Sequence, residues 1–184
     1  SKSTGKGHKD FEVKLGKGIT LQQDQLRRDF WMNAMARDVE TGEIHDIDKK
    51  GQTDIENKQI RVIGAQAFKE DPLRMLRAVQ FAARFDFTIE TETMKQIKKN
   101  VNLIKTVSAE RFQEEFKKMF EKGTPSVGVD LLQQTGILKK LFPRARDTFS
   151  VEYDKLDKKG FPAFLAVLLR GHKSKDIQKA MKLS

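Results

Sequence analysis

The sequence contains no cysteine, and that absence excludes several kinds of protein. Without cysteine the chain can form no disulfide scaffold, no thiolate metal site and no cysteine nucleophile. Its three histidines are scattered, which disfavours a His-rich zinc site. The longest apolar run, residues 161–169, is far too short to cross a bilayer, and no secretory signal opens the chain. We therefore expect a cytoplasmic protein that has no membrane partner.

Positive charge is what the chain has in excess. Its 184 residues include 36 Lys and Arg against 26 Asp and Glu, which gives a net charge of +10. The excess is concentrated in residues 139–184, where 12 basic and 5 acidic side chains give a net of +7. Such a basic segment predicts a polyanionic partner, because its lysines and arginines can neutralise phosphates. A solvated, lysine-rich surface is the alternative interpretation.

The first 65 residues show the pattern of a small α/β part. Residues 1–20 are rich in Gly, Lys and Ser, which predicts a mobile loop with one short strand at 10–15. We expect Asp24 to cap a helix that reaches about Arg37. Short extended segments are predicted at residues 43–47 and 61–64.

From residue 70 onward the periodicity of the apolar residues is helical. Asp71 suits the N-cap of the first long helix, and Pro72 suits its first turn. Predicted helices cover residues 72–85, 92–100, 109–122, 125–135, 138–142, 161–170 and 175–182. The fold class is therefore α+β and mostly helical.

A carboxylate and two arginines form the strongest local cluster. Arg74 and Arg77 are three residues apart and share one face of the predicted helix, while Asp71 lies at its positive end. A carboxylate accepts hydrogen bonds and a guanidinium donates them, so together they can match the polar edge of a base. The alternative is that Asp71 only caps the helix and the arginines form surface ion pairs.

A second cluster, R-R-D-F-W-M-N-A, occupies residues 27–34. The paired arginines Arg27 and Arg28 lie beside an apolar helix face, where they could hold a triphosphate or a ribose. An ordinary amphipathic helix would show the same pattern.

Several motifs occur in one order along the chain. They are L-R-R-D-F followed by N-A-M-A at 26–36, E-D-P-L-R at 70–74, M-L-R-A-V-Q-F-A-A-R-F at 75–85, V-S-A-E-R at 107–111, and G-I-L through F-P at 136–143. A Gly- and Lys-rich segment at 2–11 precedes them. As a set they resemble the class II tRNA nucleotidyltransferases, which comprise the CCA-adding enzymes and the bacterial poly(A) polymerases. The resemblance thins after about residue 145.

The resemblance implies a division of the chain into three parts. Residues 1–65 would be the C-terminal remnant of a nucleotidyltransferase head, including its flexible loop. Residues 66–123 would be a neck that carries the nucleotide-selecting helix. Residues 124–184 would be a helical body and the start of a tail.

The resemblance also implies an activity and roles for five residues. The activity is template-independent addition of CCA to the 3′ end of tRNA, so the partners would be tRNA, CTP and ATP. Asp71 and Arg74 would pair with the base edge of the incoming nucleotide. Arg77 would hold this pair or the triphosphate, and Arg28 and Asp29 would contact the phosphates and the sugar.

The expected cofactor is magnesium, which this family binds through an Asp-x-Asp pair upstream of the flexible loop. The chain begins at the loop, so we assign no metal ligand and no catalytic residue, and we expect the chain alone to be inactive. The missing part would lie on a second chain or on a longer protein. Asp46 and Asp48 have the same spacing but follow the R-R-D motif, and we interpret this as coincidence. Gln80 replaces a usual arginine, which predicts a weaker triphosphate contact.

Other functions remain open. One is a poly(A) polymerase, or a CC-only or A-only enzyme of the same family; the N-A-M-A motif and the loop at 2–11 favour CCA addition over these. Another is a catalytically incomplete RNA-binding subunit, which would not need a carboxylate and an arginine for base selection. Preference for CTP and ATP over GTP and UTP would separate the two classes.

Overall fold

The computed structural model describes residues 2–3, 11–12, 19–143, 160–161 and 166. In these residues the fold is α+β and mostly helical, as predicted. Strands are two residues long and form three small sheets. They pair Lys2–Ser3 (β1) with Phe11–Glu12 (β2), and Ala36–Arg37 (β3) with Ile44–His45 (β4), both antiparallel, and Gln59–Ile60 (β5) with Thr88–Ile89 (β6) in parallel.

Between residues 70 and 143 the helices follow the predicted periodicity. Their bounds are Leu21–Leu26 (α1), Lys50–Glu56 (α2), Ala67–Glu70 (α3), Leu73–Phe85 (α4), Thr91–Asn100 (α5), Ala109–Lys122 (α6), Pro125–Gln134 (α7) and Ile137–Leu141 (α8). Short 3₁₀ segments occupy residues 31–33, 47–49 and 101–106. Pro125 starts α7, where its missing N–H costs nothing. Gly136 separates α7 from α8 with a φ of 78°, a conformation that favours glycine.

The predicted helix from Asp24 to about Arg37 is wrong. Thr20, not Asp24, caps α1: its hydroxyl accepts a hydrogen bond from the Gln23 N–H at 3.2 Å, and the Gln23 side chain completes a capping box. The helix ends at Leu26, and Phe30 adopts an extended conformation that pairs with Val62. Phe30 is fully buried there, so tertiary packing overrides the local helical pattern.

Backbone hydrogen bonds hold residues 29–31 against residues 61–63, the segment after β5. The Trp31 N–H donates to the Arg61 carbonyl at 3.1 Å, and the Ile63 N–H donates to the Asp29 carbonyl at 3.0 Å. Asp29 is therefore held by its own backbone at a defined place beside α4.

One hydrophobic core joins the N-terminal part to the helices. Helix α4 lies at its centre, packs against α6 and α7, and buries Met75, Leu76 and Val79 completely. Phe30 and Ile60 belong to the same cluster and are also fully buried. The residues before and after position 65 consequently share a core, and the division at residues 65 and 123 stays a prediction.

Several predictions fall outside the residues that the structure describes. They are most of the loop at 1–20, the helix at 175–182 and most of the helix at 161–170; positions 161 and 166 are helical. In the described part of the chain, no helix is long and apolar enough to span a membrane.

Candidate functional site

A cleft of about 480 Å³ opens where residues 27–33 meet the start of α4 and the first turn of α6. All five predicted site residues line this cleft, although they come from segments more than forty positions apart. Its lining consists of Arg27, Arg28, Asp29, Asn33, Asp71, Leu73, Arg74, Arg77, Phe81 and Arg111. Five arginines face two aspartates there, which gives the cleft a net charge of +3.

Asp71 is held mainly by an arginine from a distant helix. Arg111, in the first turn of α6, binds it bidentately, with Nη2 at 2.7 Å from Oδ2 and Nη1 at 3.2 Å from Oδ1. Pro72, and not Asp71 as predicted, is the N-cap of α4, but Asp71 Oδ1 accepts the N–H of Leu73, the first residue of that helix, at 3.2 Å. A carboxylate oxygen can accept two hydrogen bonds, so Oδ2 keeps one acceptor site that these contacts leave open. The structural role and a binding role for Asp71 are therefore compatible.

Arg74 ties α4 to the turn that precedes Asp29. Its Nη2 donates to the Arg27 carbonyl at 2.7 Å, and its Nη1 lies 3.6 Å from Glu70 Oε2. The side chain is only 16% exposed. A guanidinium has five N–H groups, so Arg74 retains donors beyond those two contacts.

Asp29 is saturated with hydrogen bonds. Its Oδ1 accepts the Phe30 N–H at 2.8 Å and the Asn33 amide at 3.1 Å. Its Oδ2 lies 2.7 Å from both Nε and Nη2 of Arg77. The predicted contact of Asp29 with a nucleotide therefore requires one of these bonds to be exchanged.

Arg77 also faces a carboxylate that sequence analysis missed. Its Nη1 lies 3.6 Å from Oε1 of Glu115, a residue of α6 that is only 3% exposed. The Arg77 guanidinium also lies 5.1 Å from the centre of the Phe81 ring, in a cation–π contact.

Arg27 and Arg28 lie at the outer rim of the cleft, and Asp24 pairs with both of them. Arg28 Nη2 is 2.9 Å from Asp24 Oδ2, and both arginine side chains are more than 40% exposed. Hydrogen bonds from Arg28 and then Arg27 hold the pKa of Asp24 below its ordinary value. These exposed arginines are free to turn towards an anion in the cleft.

The residues that the structure describes do not fit a metal ion. They contain no group of three His, Cys, Asp or Glu side chains placed to hold one. Both oxygens of Asp46 accept backbone N–H groups, from Gly51 at 2.9 Å and from Gln52 at 2.8 Å. Asp48 is exposed and pairs with Lys50 at 2.9 Å. Asp46 thus serves to start α2.

Gln80 does not line the cleft. It lies on α4 and is 1% exposed, so its side chain is inside the protein. A glutamine inside the protein makes no contact in the cleft, and the expectation of a weaker triphosphate contact at this position stays a prediction.

Two family models match the chain, and together they cover most of it. Residues 2–61 match the poly A polymerase head domain, and residues 86–148 match the probable RNA and SrmB-binding site of polymerase A.

Full-length relatives are similar over most of this chain. The multifunctional CCA protein of Shewanella denitrificans is 40% identical over 156 residues, which cover 82% of this chain and 37% of the relative. The CCA-adding enzyme of Pseudomonas entomophila is 36% identical over 157 residues, which cover 82% of this chain and 41% of the relative. The chain thus spans about two fifths of the length of these relatives.

Solved structures of CCA-adding enzymes share the fold. The Thermotoga maritima CCA-adding enzyme in complex with tRNA superposes with a TM-score of 0.76 at 27% identity, over 89% of this chain and 44% of that one. A CCA-adding enzyme in complex with ATP gives a TM-score of 0.77 at 27% identity, with the same coverage of both chains. Head-domain and RNA-binding models, curated relatives and solved structures agree, and the chain belongs to the class II CCA-adding enzyme and poly(A) polymerase family.

Proposed function

We propose that this chain selects and holds the nucleotide in a cytoplasmic tRNA nucleotidyltransferase that adds CCA to tRNA 3′ ends without a nucleic-acid template. The observation that carries the proposal is the cleft itself. It combines Asp71 and Arg74 at the start of one buried helix, and it surrounds them with further arginines. An acceptor and a donor on a rigid element suit selection of a base edge, and the excess of arginine suits a triphosphate.

The two side chains explain why CTP and ATP would be chosen together. Cytosine and adenine both present an amino donor beside a ring-nitrogen acceptor, whereas uracil and guanine present a carbonyl beside a ring N–H. Asp71 would accept the amino group through the open site on Oδ2, and Arg74 would donate to the ring nitrogen. With UTP or GTP, the Asp71 carboxylate would face the base carbonyl, which is also an acceptor, and the Arg74 guanidinium would face the ring N–H, which is also a donor.

The arginines at the rim would hold the phosphates. Among the described residues, Arg27 and Arg28 pair with Asp24 in a solvent-exposed position, where ion pairs exchange at little cost. A triphosphate offers more negative charge than one carboxylate, so it would compete well for both guanidinium groups. Arg77, deeper in the cleft, would complete the contact.

A lysine surface supports an RNA partner. Lys98 and Lys99 in the last turn of α5 and Lys105 in the following 3₁₀ segment are exposed, and we call these three residues the lysine face. Within the described part of the chain none of them pairs with a carboxylate, whereas Lys117 on α6 pairs with Glu121. Unpaired lysines on one segment suit the phosphates of an RNA helix.

Magnesium is part of the proposal as the cofactor of the whole reaction, whose chemistry is metal-assisted phosphoryl transfer. The described residues do not provide its ligands. The roles given above are therefore those of side chains that bind and orient the nucleotide.

Incorporation of nucleotides into tRNA that lacks its 3′ CCA tests the proposal. With the Asp-x-Asp segment that this family uses for magnesium supplied, and with magnesium present, we expect labelled CTP to be added before ATP, and we expect Asp71→Asn to abolish the choice between nucleotides. Asp86→Asn is the matched control, because Asp86 is exposed at the opposite end of α4 and asparagine tolerates its φ of 55°.

The product distinguishes the alternatives. A run of A would indicate a poly(A) polymerase, and addition of C alone or A alone would indicate a partial enzyme. Binding of tRNA without any preference among the four nucleotides would indicate an RNA-binding subunit and would contradict the proposal.

A further inference from the structure

Arg77 lies between two carboxylates that hold it unequally. Asp29 Oδ2 lies 2.7 Å from both Nε and Nη2 of Arg77, whereas Glu115 Oε1 lies 3.6 Å from Nη1 of Arg77. Glu115 Oε2 is buried and has no hydrogen-bond partner in the part of the chain that the structure describes. A buried carboxylate oxygen without a partner is costly, so its retention calls for a physical reason.

The two sites for Arg77 differ in what surrounds them. Lys118 lies 3.1 Å from Glu115 Oε1 and keeps that oxygen occupied, which leaves Oε2 open for a second donor. At the other site, both lone pairs of Asp29 Oδ2 are used by Arg77 itself. Asp29 can therefore accept a hydroxyl of a nucleotide only when Arg77 leaves it.

We propose that Glu115 is a positioning residue that receives Arg77 when a nucleoside triphosphate enters the cleft. The guanidinium shifts from Asp29 to the open oxygen of Glu115, and Asp29 Oδ2 becomes free to accept a sugar hydroxyl. Arg77 keeps a carboxylate partner throughout, and Asp29 keeps its hydrogen bonds from Phe30 and Asn33 and gains the sugar hydroxyl, so neither group is left without hydrogen bonds. This inference rests on the proposed nucleotide binding.

The distances make the exchange a small movement. Arg77 Nη1 already lies 3.6 Å from Oε1 of Glu115, and the open oxygen Oε2 belongs to the same carboxylate, so the guanidinium starts beside the group that would receive it. Rotation about the terminal torsions of Arg77 would then complete the exchange without displacing α4 or α6. Because Glu115 acts only through Arg77, its effect should appear in nucleotide affinity and in the environment of the Arg77 guanidinium.

Two glutamates on α6 provide a matched comparison. Glu114 is exposed and also pairs with Lys118, at 2.9 Å, but forms no salt bridge with Arg77 in the described part of the chain. We would titrate the wild-type chain, Glu115→Gln and Glu114→Gln with CTP and with ATP by calorimetry, after thermal unfolding has shown each to be folded. We expect Glu115→Gln to weaken binding about tenfold, as for removal of one hydrogen bond to a charged group, and Glu114→Gln to change it by less than about twofold.

A second readout reports on Arg77 directly. The ¹⁵Nε resonance of Arg77, assigned by its disappearance in Arg77→Lys, should shift when CTP saturates the wild type and Glu114→Gln, and should not make this shift in Glu115→Gln. If Glu115→Gln does not fold, Glu115→Asp takes its place, because it keeps the charge that pairs with Lys118 and draws the carboxylate back from Arg77; the Arg77 resonance should again not make the wild-type shift.

The outcomes separate this inference from the proposed function. Equal affinities for the two variants, or an Arg77 resonance that CTP leaves unchanged in the wild type, would overturn the role of Glu115 while nucleotide binding stands. Failure of the wild type to bind CTP or ATP would overturn the proposed function, and this inference with it.

Discussion

Replacement of Arg111 by methionine should reduce both stability and nucleotide selection, because Arg111 is what orients Asp71. The pair has two charge-assisted hydrogen bonds, at 2.7 and 3.2 Å, and joins the first turn of α6 to Asp71, two residues before α4. Methionine retains the volume of the apolar stem but leaves the Asp71 carboxylate without its main partner.

The magnitude follows from burial. The side chains of Arg111 and Asp71 are 22% and 14% exposed, so water can replace only part of the missing hydrogen bonding. We expect the free energy of unfolding to fall by about 1–3 kcal/mol. The matched control is Lys117→Met on the same helix; its ion pair with Glu121 is exposed, and removing it should cost no more than about 1 kcal/mol.

Urea denaturation measures the first effect, and the ratio of CTP to UTP affinity measures the second. Once Asp71 is free to rotate, that ratio should fall by about tenfold or more, because selection depends on a fixed acceptor. Lower stability with unchanged nucleotide selection would show that Arg111 stabilises the fold but does not orient Asp71 for selection. Unchanged stability would refute the reasoning about the ion pair itself.

Three further predictions concern the surroundings of the cleft. Gly51→Ala should destabilise the chain by about 1–3 kcal/mol in denaturant unfolding, because the new Cβ would lie 2.6 Å from Met35 Cγ. The pKa of Asp24 is lowered from 3.8, so its ion pairs should stabilise the fold above that pH and stop doing so as the pH falls below it. Melting temperatures measured over a pH series should show this loss of stability in the wild type and not in Asp24→Asn. The loss should be under about 1 kcal/mol, because the pairs are exposed. Changing the lysine face to glutamine should weaken tRNA binding and reduce the slope of log affinity against log salt by about 1 for each phosphate that is no longer neutralised, whereas Lys117→Gln should leave both unchanged.

The sequence predicts the helical part of this fold well and the turn before it poorly. Between residues 70 and 143 the helix bounds agree with the predicted ones to within about two residues, because apolar periodicity, Pro125 and Gly136 act locally. The stretch from Leu26 to Arg37 has the same periodicity, yet Phe30 is extended because it pairs with Val62 and fills the core. No local signal reveals a partner that lies about thirty residues further along the chain.

In the candidate site, too, some residues could be predicted from the sequence and others could not. Asp71, Arg74 and Arg77 could be proposed because they lie close together in the sequence, at the start of one predicted helix, and the structure brings them to one cleft. Arg111 and Glu115 were missed because nothing in their spacing shows that α6 crosses α4. A signal for Glu115 does exist: it is a carboxylate on the apolar face of α6, directly beside the fully buried Phe116.

The central claim is that Arg74 selects the nucleotide and does not hold the RNA. Affinities of the wild type and Arg74→Ala for CTP, ATP, GTP, UTP and tRNA test it most directly. We predict that the wild type prefers CTP and ATP, and that Arg74→Ala loses this preference while tRNA binding changes little. Weaker tRNA binding with the choice of CTP intact would contradict the account.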